Sequence, residues 1–280
     1  MYYPLLISAV GIVACFITSV FGIFIQKVDN FEKIQKSLNM QLYISTILTL
    51  IGVYLITPVL PDKWAYTLDG ITHHAESYQA FICTSLGLVS GLLIGISTDY
   101  FTSHAYSPVR EMSDACTSGA AINIIYGLAL GYLSTIIPVI LLTITIITSI
   151  SLLGMFGVSL AAIGMLSTLS VGLAIDAYGP ICDNAGGIAE MSELDQLVRD
   201  RTDALDSAGN TTAAIGKGFA IGSAALVSLA LYGAFLTRAF NLPEHPIKNI
   251  KITNPWLFGM FLIGAMLPYA FSAFTMKSVG

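Results

Sequence analysis

Seven long apolar stretches restrict the fold of this 280-residue chain more than any other feature. A helix that crosses the hydrocarbon core of a bilayer needs roughly 20 mainly apolar residues. The stretches that meet this length are 2–25, 41–60, 79–98, 120–150, 156–181, 210–236 and 256–275. Only 10% of the residues are charged and the mean hydropathy is +0.78, whereas a soluble domain is about one quarter charged. The sequence therefore predicts an all-α, polytopic membrane helical bundle with seven transmembrane helices in a single region, 1–280.

The distribution of lysine and arginine predicts which side of the membrane each loop faces, because these residues are enriched in cytosolic loops. With the N-terminus outside, the cytosolic segments carry seven of them: Lys27, Lys33, Lys36, Arg110, Arg199, Arg201 and Lys277. The opposite side carries four: Lys63, Arg238, Lys248 and Lys251. We therefore expect the segment 183–206, a region of helix ends and a connecting loop, to be cytosolic. The loop 62–76, with His73 and His74, is expected to be solvated on the opposite side.

The segment 183–206 is chemically distinct, since seven acidic residues stand there against two arginines. The difference of −5 equals the formal net charge of the whole chain. This acidic balance gives no reason to expect a nucleic-acid partner, which would need a basic surface. Most of these acidic side chains are expected to be solvated, and the residues that flank the segment are the candidates for chemistry.

Two aspartates near the end of the fifth stretch are the first candidates for a site. Asp176 and Asp183 are seven residues apart, so a helix places them on one face, about two turns apart. Asp176 still lies within the apolar stretch, and a carboxylate there normally faces a bundle interior or an aqueous cavity. A local cap or ion pair of Asp176 near the membrane interface is the alternative.

The start of the sixth stretch carries a second set of polar side chains on one helix face. Asp203, Asp206, Asn210 and Lys217 follow one another at intervals of three, four and seven residues. Lys217 lies about 10 Å along the helix axis from Asn210. At that depth a lysine does not reach water easily, so it needs an anion or a carboxylate as its partner.

Two oxygen-rich helix ends on either side of an acidic segment suit a hard cation such as Mg²⁺. Magnesium takes one or two carboxylates from the protein and completes its shell with waters and substrate phosphates. The spacing alone also fits a sodium-coupled secondary transporter, in which buried aspartate and asparagine side chains would bind the coupling ion.

Four segments are specific enough to be compared with known families. They are GLAIDAYGP at 172–180, DNAGGIAEM at 183–191, RTDALD at 201–206 and GNTTAAIGKGFAIGSAAL at 209–226. All four resemble the membrane-integral pyrophosphatase family, and weaker resemblance extends along the rest of the chain. Members of that family have about sixteen transmembrane helices of the usual bilayer-spanning length. This chain resembles the seventh to the thirteenth of these helices.

The resemblance implies an activity and a role for several residues. Family members are homodimers that hydrolyse inorganic pyrophosphate at a cytosolic site with Mg²⁺ and pump protons or sodium ions across the lipid bilayer. By that resemblance Asp183 is a magnesium-binding or water-activating carboxylate, and Asn210 lies at the same metal–pyrophosphate site. Asp176 supports the site from behind, and Lys217 belongs to its surroundings. We expect protons rather than sodium ions as the transported species.

Two small residues extend the resemblance to the potassium-dependent, vacuolar-type members. Relatives that do not need potassium carry a lysine in place of Ala213, whereas Gly216 agrees with the potassium-dependent group. We therefore expect K⁺ to be an activator. The overall similarity predicts a vacuolar or acidocalcisome-type membrane, with a bacterial plasma membrane as the alternative.

The chain also departs from the family pattern. The family's aspartate-rich loops with phosphate-binding lysines lie before and after the region present here, and Asp99 stands where many relatives carry glutamate. We therefore expect a central fragment of a larger membrane domain, inactive by itself. A secondary transporter and a non-catalytic truncated product are the competing hypotheses.

Overall fold

Long α-helices occupy most of the residues that the computed structural model describes, which are 2–24, 28, 31–68, 71–240, 259–260, 263–264, 267–268 and 271. Within these residues the α-helices are α1 Tyr3–Phe24, α2 Phe31–Ile56, α3 Ser77–Thr102, α4 Ser107–Cys116, α5 Ala120–Ser134, α6 Ile136–Leu166, α7 Leu169–Met191 and α8 Gln196–Phe240. The strands β1 Lys63–Leu68 and β2 Ile71–Glu76 lie between α2 and α3. Residues Met1–Leu231 form one structural unit and Tyr232–Gly280 a second.

Five of the described helical segments are long and apolar enough to cross a membrane. They are Tyr3–Phe24, Lys33–Val59, Ser77–Cys116, Ala120–Leu166 and Gln196–Ala239. The prediction of a polytopic helical membrane protein is therefore confirmed. The seventh predicted stretch, 256–275, lies mostly outside the described residues.

The helix α6 reverses its direction at Gly154, which has φ 60° and ψ −145°. Such a positive φ is readily adopted only by glycine. On one side of it, Thr145 shares a 2.7 Å hydroxyl hydrogen bond with Ser90 of α3. On the other side, Met165 packs beside Gly91, the next residue of α3. In a straight helix these two α6 residues would be about 30 Å apart, so α6 is two antiparallel arms, as the separation of the fourth and fifth stretches predicted.

Two predicted helices are interrupted where the sequence indicated continuity. The stretch 120–150 breaks at Thr135, and Pro138 lies in the first turn of α6. A proline has no N–H to donate to the carbonyl four residues earlier, so it is tolerated in a first turn and disrupts a helix interior. The stretch 156–181 breaks after Ser167, whose hydroxyl donates to the Gly164 carbonyl at 2.6 Å. Such side-chain bonds compete with the backbone bonds of a helix.

Glycines allow α3 and α6 to pack backbone against backbone. A Cβ added at Gly87 of α3 would fall on the carbonyl of Ala161, and one added at Gly164 of α6 would fall on the carbonyl of Thr84. Close contact through small residues is how transmembrane helices associate, because the lipid gives no hydrophobic force between them. This interface holds α3 against the second arm of α6.

Replacing Gly87 with alanine is therefore expected to destabilise the protein by about 1–3 kcal/mol, the usual cost of overpacking. Gly131→Ala is the matched control, since a Cβ at Gly131 meets nothing within 4 Å. The measurement is the apparent melting temperature of the detergent-purified protein, followed by tryptophan fluorescence. Equal melting temperatures for the two variants would contradict the packing argument.

The predicted loop 62–76 is an ordered hairpin and not an irregular loop. Its strands pair antiparallel, with Lys63 opposite Glu76 and Ala65 opposite His74. The Lys63 ammonium lies 3.3 Å from the Glu76 carboxylate. His73 and His74 are exposed, as expected. The sequence indicated a loop because polar residues dominate 62–76. Pairing between strands is not visible in composition.

The acidic segment 183–206 is almost entirely helical, so the helix ends expected there are longer and the loop is shorter than predicted. Helix α7 continues to Met191 and α8 begins at Gln196, so only residues 192–195 connect them. Apolar stretches measure the length in contact with lipid, whereas a helix continues into water as long as its backbone bonds persist.

The hairpin adjoins the start of α3, and His104, just after α3 ends, contacts Ser207 of α8 at 3.2 Å. The hairpin and the acidic helix ends therefore lie at opposite ends of α3.

Candidate functional site

The candidate residues lie on two helices that cross closely. An ideal Cβ at Gly209 of α8 would stand 3.1 Å from the Cα of Gly179 on α7. One at Gly216 would stand 2.6 Å from Oδ1 of Asp176. Positions on α8 therefore decrease in number as positions on α7 increase, and the two helices are antiparallel. The sequence placed Asp176 and Asn210 on separate helix ends, and the crossing brings these helices together.

Asp176 is half-buried on α7 and faces Gly216. Its Oδ1 atom is buried without a hydrogen-bond partner. The ammonium of Lys217, the residue after Gly216, acts electrostatically on this carboxylate, although Lys217 itself is exposed. Lys217 therefore acts on Asp176 through space, as expected for a lysine that needs a carboxylate, and no hydrogen bond caps Asp176 Oδ1.

Asp206 and Asn210 form a hydrogen-bonded pair one turn apart on α8. The Asn210 amide nitrogen donates to Asp206 Oδ2 at 3.1 Å. This bond leaves the Asn210 amide oxygen available to a ligand. The other carboxylate oxygen of Asp206, Oδ1, is buried without a partner. A buried carboxylate oxygen normally has a hydrogen-bond partner or a cation, so Asp206 is a candidate site residue that sequence spacing alone marked only as a member of a polar stripe.

Asp183 is exposed on α7, one turn beyond Gly179. Asp206 lies nearly one turn before Gly209 on the antiparallel α8, so Asp183 stands about 6 Å and Asp206 about 4.5 Å along the helix axes from the same crossing. Asp183 and Asp206 are therefore at the same level on neighbouring helices. The sequence grouped Asp183 with Asp176 and Asn210, and the crossing adds Asp206 to that group.

The oxygen donors at this crossing meet the requirements of Mg²⁺ in part. Within residues 2–240, as far as they are described, no three His, Cys, Asp or Glu side chains converge to form a metal-binding group. Magnesium, however, is commonly held by one or two carboxylates together with substrate phosphates and waters. Asp183, Asp206 and the amide oxygen of Asn210 fit such a partial ligand set and do not fit a cage made by protein alone.

Ala213 and Gly216 follow Asn210 on the next two turns of α8. Ala213 is half-buried, three residues after Asn210 and three before Gly216. Gly216 has no room for a side chain unless the Asp176 carboxylate moves. Of the two positions expected to determine potassium dependence, Gly216 adjoins the unpartnered Asp176 oxygen, and Ala213 lies one turn of α8 away from it.

A second polar cluster surrounds Asp99, which is only 5% exposed at the end of α3. Its carboxylate accepts hydrogen bonds from Asn39 Nδ2 at 3.0 Å and from Gln35 Nε2 at 3.3 Å. It lines a cavity of about 590 Å³ together with His104 and Ser207. The sequence singled out Asp99 only as a departure from glutamate, because its partners on α2 are about 60 residues away.

Comparison with known proteins gives a consistent result. The whole chain, residues 1–280, matches the family model described as inorganic H⁺ pyrophosphatase. A relative from Clostridium tetani is 43% identical over 287 residues, covering 99% of this chain and 39% of the relative. It carries the provisional name of a K(+)-stimulated pyrophosphate-energized sodium pump.

Two further relatives differ in their named ion and in their named response to potassium. A K(+)-insensitive pyrophosphate-energized proton pump from Methanosarcina mazei is 36% identical over 286 residues, covering 99% of this chain and 39% of the relative. A K(+)-stimulated pyrophosphate-energized sodium pump from Thermotoga maritima is 34% identical over 282 residues, covering 99% of this chain and 38% of the relative. The chain thus spans about two fifths of the length of these relatives. With a family match over its entire length, this chain belongs to the inorganic H⁺ pyrophosphatase family of membrane proteins.

Proposed function

We propose that the complete protein carrying this segment hydrolyses inorganic pyrophosphate and uses the released free energy to move a monovalent cation across a membrane. The observation that carries the proposal is the pair of unpartnered buried carboxylate oxygens, on Asp176 and Asp206, where α7 and α8 cross. Unpaired anionic oxygens at one end of a membrane bundle call for cations, and metal-bound pyrophosphate supplies them. The names of the relatives agree with this activity.

The position of each side chain suits it to a different role in pyrophosphate hydrolysis. Asp183 is exposed, so it can orient an attacking water and accept its proton. Asp206 and Asn210 form one rigid pair that can hold a metal-bound phosphate through Asp206 Oδ1 and the Asn210 amide oxygen. Lys217 balances the charge of Asp176. Bound Mg²⁺ would neutralise the diphosphate and make its phosphorus more electrophilic.

The transported ion and the membrane are the finer parts of the proposal. The sequence favoured protons, but the named pumps among the relatives include sodium pumps and a proton pump. The expectation of a vacuolar membrane finds no support in these relatives, which come from bacteria and an archaeon. We therefore propose the plasma membrane of a prokaryotic-type cell, with K⁺ as an activator and a homodimer as the working assembly.

The experiment that tests the activity uses the full-length protein in sealed proteoliposomes. Pyrophosphate with Mg²⁺ added outside should be hydrolysed, and either ²²Na⁺ uptake or internal acidification should follow. A protonophore abolishes acidification by a proton pump, whereas it leaves or increases ²²Na⁺ uptake by a sodium pump. Hydrolysis without any ion movement, or no hydrolysis at all, would contradict the proposal.

The topology makes a separate prediction, which is that residues 192–195 face the cytosol and the β1–β2 hairpin faces the opposite side. The lysine and arginine asymmetry motivates it, and the two segments lie at opposite ends of α3. Single cysteines at Ser192 and at Thr72, in a protein lacking Cys15, Cys83, Cys116 and Cys182, would be labelled in sealed vesicles. A membrane-impermeant maleimide added outside the vesicles should label only one of the two cysteines, and the other should be labelled only from inside. Labelling of both from the same side would contradict this topology.

A further inference from the structure

Tyr178 joins the two helices that carry the candidate site. Its hydroxyl on α7 donates a 2.9 Å hydrogen bond to the backbone carbonyl of Leu205 on α8. Its ring also lies against α8, since an ideal Cβ at Gly209 would stand 3.5 Å from the Tyr178 Cε1 atom. The remaining described side-chain bond between these helices, from Arg199 to Glu190 at 3.4 Å, lies at their exposed ends. Exposed ion pairs of that kind contribute little to stability.

The two contacts of Tyr178 fall directly beside the polar pair of α8. Leu205 immediately precedes Asp206, and Gly209 immediately precedes Asn210. One side chain therefore restrains the backbone at both members of the pair, through a hydrogen bond at one and a ring contact at the other. On its own helix, Tyr178 stands between Asp176 and Asp183.

We propose that Tyr178 is a positioning residue for pyrophosphate binding. It fixes the crossing of α7 and α8, so that the pair formed by Asp206 and Asn210 faces the same metal–diphosphate group as Asp183. The inference rests on the proposed function and deepens it. It requires a tyrosine at 178 together with the absence of a side chain at Gly209, because a Cβ there would stand only 3.1 Å from the Gly179 Cα and would force the two helices apart.

The variant Tyr178→Phe removes the hydrogen bond and keeps the ring contact, so the protein should still fold. The expected result is a rise of about fivefold in KM for magnesium pyrophosphate, the effect of one ordinary hydrogen bond. The kcat should change less, because Asp183 and the attacking water are untouched, and loss of a uniform binding contribution appears in KM alone. Tyr126→Phe is the matched control, since that hydroxyl is 3.5 Å from Glu111 on an exposed surface away from α7 and α8.

A second measurement follows the helix crossing without using activity. An ideal Cβ at Gly186 would lie 3.9 Å from the Thr202 Cβ, within the range that a disulfide spans. The pair Gly186→Cys and Thr202→Cys should therefore form a disulfide readily in the full-length protein, as quantified by mass spectrometry. Adding Tyr178→Phe should slow its formation by about fivefold, and adding Tyr126→Phe should leave the rate unchanged.

The outcomes separate this inference from the proposed function. If Tyr178→Phe leaves either KM or the disulfide rate at the wild-type value, Tyr178 does not position the site. A lower melting temperature with both values unchanged means that the hydroxyl has only a structural role, and it overturns the inference equally. A wild-type protein that does not hydrolyse pyrophosphate refutes the proposed function, and the disulfide rate then decides by itself whether Tyr178 sets the crossing.

Discussion

Hydrolysis of pyrophosphate by the full-length protein should fall by roughly 100-fold or more when Asp183 is replaced by asparagine, the scale expected for loss of a group that positions and deprotonates water. Asp183 is exposed on α7 at the level of Asp206 on α8. A neutral amide of the same size can neither accept the proton nor bind Mg²⁺ as strongly as a carboxylate. The loss should persist at saturating pyrophosphate and Mg²⁺, and release of phosphate by the purified variant is the measurement.

The control for this variant is Glu193→Gln, which removes one negative charge from the connection between α7 and α8. Glu193 is exposed and has no place at the helix crossing, so activity should remain within about twofold of the wild type, as for most surface substitutions. Comparable losses at both positions would show that the overall negative charge of this end, and not one carboxylate, supports hydrolysis.

Potassium stimulation is expected in the full-length wild type and is expected to disappear in Ala213→Lys. Ala213 lies on the face of α8 next to Asn210, and Gly216 leaves the Asp176 carboxylate close to the helix backbone. A lysine at 213 would bring a tethered ammonium to this anionic region. With alanine the space remains open, and a soluble K⁺ ion can supply the positive charge instead. The measurement is hydrolysis against potassium concentration at constant ionic strength.

Ala213→Met is the matched control, because methionine has nearly the length of lysine and no charge. The methionine should fill the space without supplying a positive charge. Hydrolysis by this variant should therefore stay low in the absence of potassium. A wild type that is indifferent to potassium would refute the potassium site. An active lysine variant that still depends on potassium would do the same.

The acidic segment illustrates where sequence reasoning succeeded and where it failed. Composition identified 183–206 as the chemically distinct part of the chain, and the resemblance named Asp183 at its start and Asn210 just beyond its end. The expected loop was too long, since the segment is helical except for residues 192–195. Polar composition indicates which residues face solvent. A helix forms its own backbone hydrogen bonds in water as well as in lipid, so the end of an apolar stretch is not the end of a helix.

Contacts between distant residues were the part that spacing did not reveal. Asp99 accepts bonds from Gln35 and Asn39, and the Tyr178 hydroxyl donates to the Leu205 carbonyl. No periodic pattern relates these positions. They meet only because α2, α3, α7 and α8 pack side by side.

By itself, the sequence determined that this is a helical membrane protein, because the length and polarity of each apolar stretch are local properties. The four specific segments indicated its family. The identity of the polar residues near two helix ends was also local information. Only the tertiary structure decided that α7 and α8 cross at Gly179 and Gly209 and that Gly216 lies against Asp176. It also decided that the turn between the fourth and fifth stretches falls at Gly154. These features depend on how closely two backbones approach, and that distance is set by the small residues of both helices together.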